Sequence, residues 1–124
     1  MRRILLQIYT RNWEEAYEFY KKAFNAELGY CDRAEDGTTI HAELNFCGQS
    51  LAVGELDDKQ CEMIPGNTMQ FCLQFEPGEE PIIKQAYETM LDGGNVIYPL
   101  GTSFFSSYNA AIIDKYGVYW CLFV

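Results

Sequence analysis

The chain has 124 residues, 48% of them hydrophobic and 15% aromatic, a composition that supports one globular core and excludes intrinsic disorder. Its 18 acidic against 9 basic residues leave a net charge of −9, the wrong sign for a protein that binds nucleic acid by displacing phosphate counterions. The apolar run after Arg3 breaks at Gln7 and meets charge soon after, too short for a membrane span or a signal-peptide core, so no membrane partner is expected.

In chain order, Ile4, Leu6 and Ile8 alternate with Leu5, Gln7 and Tyr9, the period-two pattern of a strand whose apolar face meets a helix. Asn12, with Glu15 three residues on, starts a helix in the manner of a capping box. Trp13, Ala16, Tyr17, Tyr20 and Phe24 form its apolar stripe, and Asn25 can close it in the left-handed conformation. Ala42, Leu44 and Phe46 then alternate with His41, Glu43 and Asn45, and the chain turns at Gly48 into a returning strand. Farther on, Phe71, Leu73 and Phe75 alternate with Gln70, Cys72 and Gln74. A second helix starts near Pro81 and stops at Gly93-Gly94, with a stripe of Ile82, Ile83, Ala86, Tyr87, Met90 and Leu91. The cysteines (Cys31, Cys47, Cys61, Cys72 and Cys121) are odd in number and form no CxxC pair. They read as reduced, mostly buried thiols of a cytoplasmic protein, not as a disulfide framework or a zinc site.

These elements repeat. AYEFYKKAFNAEL at 16–28 matches AYETMLDGGNVIY at 86–98, ILLQIY at 4–9 resembles FCLQFE at 71–76, and LNFCGQSLAV aligns with IIDKYGVYWCL, setting Gly48 against Gly117. The shared order and nearly constant offset argue for an internal duplication. Each unit reads strand, helix, strand and hairpin. The expected fold is therefore α+β: two βαβββ modules of mixed, curved sheet, about 1–58 and 66–124, within a single domain spanning 1–124. The apolar set of each strand should face a helix. The mixed set should face a cup-shaped, partly polar space suited to a ligand, or else solvent or a subunit interface.

A duplicated βαβββ unit with Phe19-Tyr20 in the first helix and Asp114-x-x-Gly117 near the end resembles the vicinal-oxygen-chelate superfamily of glyoxalases, extradiol dioxygenases, and fosfomycin- and bleomycin-resistance proteins. EEAYEFYKKAFNAEL, IHAELNFCGQSLAV and GGNVIYPLGTSFFSSYNAAIIDKYGVYWC are similar to its PhnB-like branch. The resemblance implies a homodimer and, in the enzymes, a divalent metal held from four strand positions. Here those positions fall on Leu5, Ala52, Gln70 and Cys121, and leucine and alanine cannot ligate. No metal and no other cofactor is expected. Labels on this branch mention a demethylubiquinone methyltransferase, yet no motif for S-adenosylmethionine is present, nor a glycine-rich phosphate loop or GxSxG elbow.

His41, the single histidine, shares a strand face with Glu43. The pair could be a proton-transferring couple, a polar rim that contacts ligand, or a structural feature of the strand. The expected function is binding of a small organic molecule in a cup lined by Tyr9, His41, Glu43, Gln70, Phe104, Phe105, Tyr108 and Cys121. With Glu43 as its charged residue and no Lys or Arg, that lining favours a neutral or cationic aromatic ligand. Two other readings stay open: a lyase or dioxygenase with a relocated metal on His41 with Glu43 or Glu55, and an interaction protein whose cup is closed by side chains.

Overall fold

The architecture is that of a computed structural model, which describes residues 1–33, 35, 39–56 and 61–124, with only the backbone at Thr39 and Ile40. The chain divides into two compact units, Met1–Met63 and Ile64–Val124. The module end expected near residue 58 lies outside the described residues.

In the first unit, β1 (Leu6–Thr10), α1 (Trp13–Phe24), β2 (Glu27–Arg33), β3 (Thr39–Phe46) and β4 (Gln49–Glu55) form a four-stranded sheet of order β1-β4-β3-β2 under one helix. In the second, β5 (Phe71–Gln74), α2 (Glu80–Met90), β6 (Asn95–Gly101), β7 (Asn109–Ile113) and β8 (Tyr119–Phe123) repeat that order as β5-β8-β7-β6. In each unit the first and last strands run parallel and the remaining pairs antiparallel. This is the α+β, mixed-sheet fold the duplication implies. Register shifts interrupt β2–β3 and β6–β7 alike, and bulges of this kind bend a sheet edge.

Local chemistry explains the elements. The Asn12 side-chain oxygen accepts the Glu15 N–H at 3.3 Å, and Asn25 ends α1 at φ 48°, ψ 47°. Glu14 and Glu15 in the first turn and Lys21 and Lys22 in the last complement the helix dipole. Phe24 stacks on Phe46 at 4.5 Å, and Ala16, Tyr20, Leu44, Leu51 and Val53 complete the core. Helix α2 has Pro81 in its first turn and packs Ile83, Ala86 and Met90 toward Ala110, Ile112, Trp120 and Leu122. Each large side chain buried in this way contributes roughly 1.5–3 kcal/mol. Gly94 must be glycine, because a Cβ there would collide with the Met90 carbonyl. Among the described residues no helix is long and apolar enough to cross a membrane.

Three expectations are corrected. Ile4 is 78% exposed and does not face α1, because register with β4 begins only at Leu6 opposite Leu51. Leu91 is exposed because it follows the last helical turn. The cysteines are not mostly buried: Cys47, Cys61 and Cys72 are exposed and Cys31 and Cys121 half-buried. Cys47 occupies the β3–β4 turn at φ 49°, and Cys72 points to the face of its strand away from the core.

The Asp114-x-x-Gly117 motif is structural. Asp114 is buried, and its carboxylate accepts N–H bonds from Tyr116 at 2.9 Å, Val118 at 3.1 Å and the Trp120 indole at 2.8 Å. Gly117, at φ 83°, completes the turn through its N–H to the Asp114 carbonyl. Removing the carboxylate strands a buried indole N–H and two turn amides. Asp114→Ala is therefore expected to lower unfolding stability by about 3 kcal/mol in urea denaturation, well beyond an average point substitution.

Candidate functional site

The face of the first sheet that alternates away from Ile8, Leu44, Leu51 and Val53 carries the polar residues. Tyr9 and His41 both lie opposite Gly54, on either side of it, and Gln7 and Glu43 flank Ala52 in the same way. Residues in register share a face, so Gln7, Tyr9, His41 and Glu43 form one surface.

Glu43 is its centre. Only 5% exposed, it is clamped by Arg3, whose Nη2 lies 2.6 Å from Oε1 and Nη1 3.0 Å from Oε2. His41 Nε2 lies 3.6 Å from the same Oε1, and the His41 ring is 6.2 Å from that of Tyr30. Arg2, Arg3, Tyr30 and Glu43 line a cavity of about 440 Å³. That volume is at the small end of the range for ligand pockets.

The bidentate Arg3 hydrogen bonds hold the Glu43 carboxyl below the usual carboxylate range, against the opposing effect of burial, with a smaller contribution from His41. The same pairing raises Arg3. A carboxylate held ionised, with both oxygens occupied, is a poor general base at neutral pH, so the geometry does not favour a Glu43–His41 proton-transferring couple.

The expectation that the lining lacks Lys and Arg is overturned, because Arg2 and Arg3 are part of it. Arg2, Arg3 and Tyr30 were not among the residues expected to form the site. Arg3 precedes β1, where strand alternation assigns no face, so the sequence carries no local signal for its place beside Glu43. Tyr30 lies within the β2–β3 register shift, where simple alternation cannot assign a face.

The other expected lining residues belong to the second unit. Gln70 precedes β5, and its side-chain oxygen accepts from the Cys72 thiol at 3.2 Å. Cys72 lies opposite Cys121 in the parallel register of β5 and β8. Burial pushes the Cys121 thiol up from its ordinary range, with Cys72 adding to the shift. Phe105 packs edge-on against Phe123 at 5.6 Å, while Phe104 leans on Phe105 and is otherwise fully exposed. Tyr108 is half-buried beside Ser106, whose hydroxyl lies 3.0 Å from both the Tyr108 and the Val124 carbonyl oxygens.

The superfamily's metal does not fit these residues. Leu5 and Ala52 offer no donor, and Ala52 is fully buried. Among the described residues no three His, Cys, Asp or Glu side chains converge as a metal site would require. Glu55, the other carboxylate considered for a relocated site, is exposed at the end of β4 opposite Thr10.

No protein-family model and no curated protein matches the chain, but solved structures do. It is similar to protein PA1353 of Pseudomonas aeruginosa, with a TM-score of 0.79 and 17% identity over 99% of this chain and 97% of that one. A Bacillus cereus PhnB protein, described as a putative 3-demethylubiquinone-9 3-methyltransferase, matches at TM-score 0.65 and 25% identity over 96% and 95% of the two chains. The fosfomycin resistance protein FosX of Listeria monocytogenes matches at TM-score 0.68 and 13% identity over 98% and 91%. The first and third of these likenesses are ones of fold.

The Arg3–Glu43 pair makes the site's acid behaviour specific. A carboxyl whose folded pKa is depressed contributes stability above its unfolded pKa, and that contribution is lost as pH falls through the lower folded value. Arg3→Ala is expected to raise the apparent pKa of Glu43 and to flatten the acid limb of a melting-temperature profile. Carboxyl NMR titration and thermal melts of both proteins from neutral pH downward check this.

Proposed function

We propose that this chain, which has the fold of the vicinal-oxygen-chelate superfamily, binds a small neutral aromatic molecule without a metal, at the surface formed by Arg3, Tyr30, His41 and Glu43. The observation that carries the reading is the Arg3–Glu43 pair at the wall of the cavity. Glu43 is already neutralised, so it does not call for a cationic ligand, and a cation would meet Arg2 and Arg3. An anion would find Arg2, but against a net charge of −9. A neutral ring can lie against the Tyr30 and His41 rings and the Arg3 guanidinium without disturbing the pair, each such contact being worth roughly 0.5–1.5 kcal/mol.

Binding without turnover is favoured because Glu43 is poorly suited to proton transfer and two of the four ancestral ligand positions are aliphatic. Sequestration is the activity class this suggests. Among similar structures, FosX is named a fosfomycin resistance protein and a Burkholderia phytofirmans protein a glyoxalase/bleomycin resistance protein/dioxygenase family enzyme. That analogy rests on fold and transfers weakly on its own. The reading also has the chain cytoplasmic and working as a homodimer, for which the exposed Val96, Ile97 and Tyr98 of edge strand β6 offer an apolar surface.

Thermal-shift measurements with matched neutral, cationic and anionic aromatic compounds at low salt test the proposal. Neutral compounds are expected to stabilise most, and Tyr30→Ala to remove most of that stabilisation. A cation preference, or no response to any compound, would overturn it. In parallel, calorimetric titration of reduced protein with Zn²⁺, Ni²⁺ or Mn²⁺ is expected to show no binding tighter than about 1 μM, equivalent to about −8 kcal/mol.

A further inference from the structure

The second unit holds a chemical group that ligand binding at the first unit's site does not use. Cys72 on β5 and Cys121 on β8 are register partners in a parallel strand pair. Register partners project to the same face, so the two thiols stand side by side. Cys72 is exposed, Cys121 is half-buried, and both are free thiols. The Cys72 thiol also contacts the Gln70 side-chain oxygen at 3.2 Å.

From this juxtaposition we infer that Cys72 and Cys121 form a reversible dithiol–disulfide site whose reaction partner is a low-molecular-weight disulfide. Cys72 is the attacking thiol, since it is the accessible one. Cys121 is the resolving thiol, since burial keeps it protonated and shielded from the solvent reagent. In the first step the Cys72 thiolate attacks one sulfur of the reagent. The reagent's S–S bond breaks, a mixed disulfide forms on Cys72, and the departing thiolate takes up the proton that Cys72 released. In the second step Cys121 loses its proton and attacks the Cys72 sulfur. The Cys72–Cys121 bond forms and the second reagent thiol leaves protonated. The protein dithiol is oxidised by two electrons and one disulfide is reduced to two thiols.

Strand geometry explains why the bond should be reversible. Neighbouring strands lie about 4.7–4.9 Å apart. That spacing is inside the window of about 4.4–6.8 Å for the Cα atoms of a disulfide, yet wider than the roughly 3.5–4.5 Å preferred between Cβ atoms. Closing the bond therefore draws β5 toward β8 and stores strain, and strained, accessible disulfides are the readily reduced ones. The site lies on a four-residue strand held to the sheet on one side, by β8, which can yield more easily than a central strand. Oxidation also removes the thiol hydrogen that Gln70 accepts.

The test treats reduced full-length protein with glutathione disulfide at neutral pH and follows intact mass, thiol content and disulfide-linked peptides. The expected result is loss of two hydrogens and two titratable thiols, a crosslinked peptide pair containing Cys72 and Cys121, and full recovery on adding reduced glutathione. Cys121→Ser should instead accumulate a stable glutathione adduct on Cys72, and Cys72→Ser should react at least about tenfold more slowly at Cys121. A disulfide joining any other cysteine pair, or a wild-type protein that stops at a glutathione adduct, would overturn the inference. So would a protein whose thiols at Cys72 and Cys121 do not react. Peptide mapping of the wild-type protein decides the outcome even if a variant folds poorly.

Discussion

The parallel pairing of the first and last strands in each unit is the constraint on which the rest of the structure depends. A parallel neighbour cannot be reached by a tight turn, so the chain must cross over through a helix before the sheet closes. In both units that crossover places one helix over one sheet face, and the following strands fill in antiparallel order. The helix-side residues, Leu44, Leu51 and Val53 in one unit and Ile112, Trp120 and Leu122 in the other, become the core. The opposite face is released from that demand. It carries Glu43 and His41 in the first unit and Cys72 and Cys121 in the second, within the same strand order.

The same topology is used with different chemistry in the two units. In the first, a buried carboxylate is kept charged by a guanidinium from the segment before β1. Burying a charge without such a partner would be costly, and the hydrogen-bonded pair resolves that cost while shaping a cavity wall. In the second, the face away from the core carries two thiols on β5 and β8, and a buried carboxylate lies in the turn that precedes β8. There Asp114 ties Tyr116, Val118 and Trp120 to one carboxylate. The Asp114-x-x-Gly117 turn thus anchors the last strand of the second unit.

The sequence by itself determined the repeat, the strand and helix order, the helix caps at Asn12 and Asn25, and the unsuitability of Leu5 and Ala52 as metal ligands. These are local properties or matters of residue type: alternation, helical spacing, a capping side chain, the absence of a donor atom. It also identified which strand face is mixed, because period two survives wherever the strand is regular. Only the tertiary structure decided what stands opposite Glu43. Arg3 lies forty residues earlier in the chain and outside any strand, so its meeting with Glu43 depends on how the crossover returns the chain, which no local pattern encodes. The same holds for Tyr30, displaced by a register shift, and for the pairing of Cys72 with Cys121, set by a parallel register between strands far apart in sequence. Charge lining and thiol pairing are contact properties, and contacts across a sheet are fixed by register, which only the folded chain supplies.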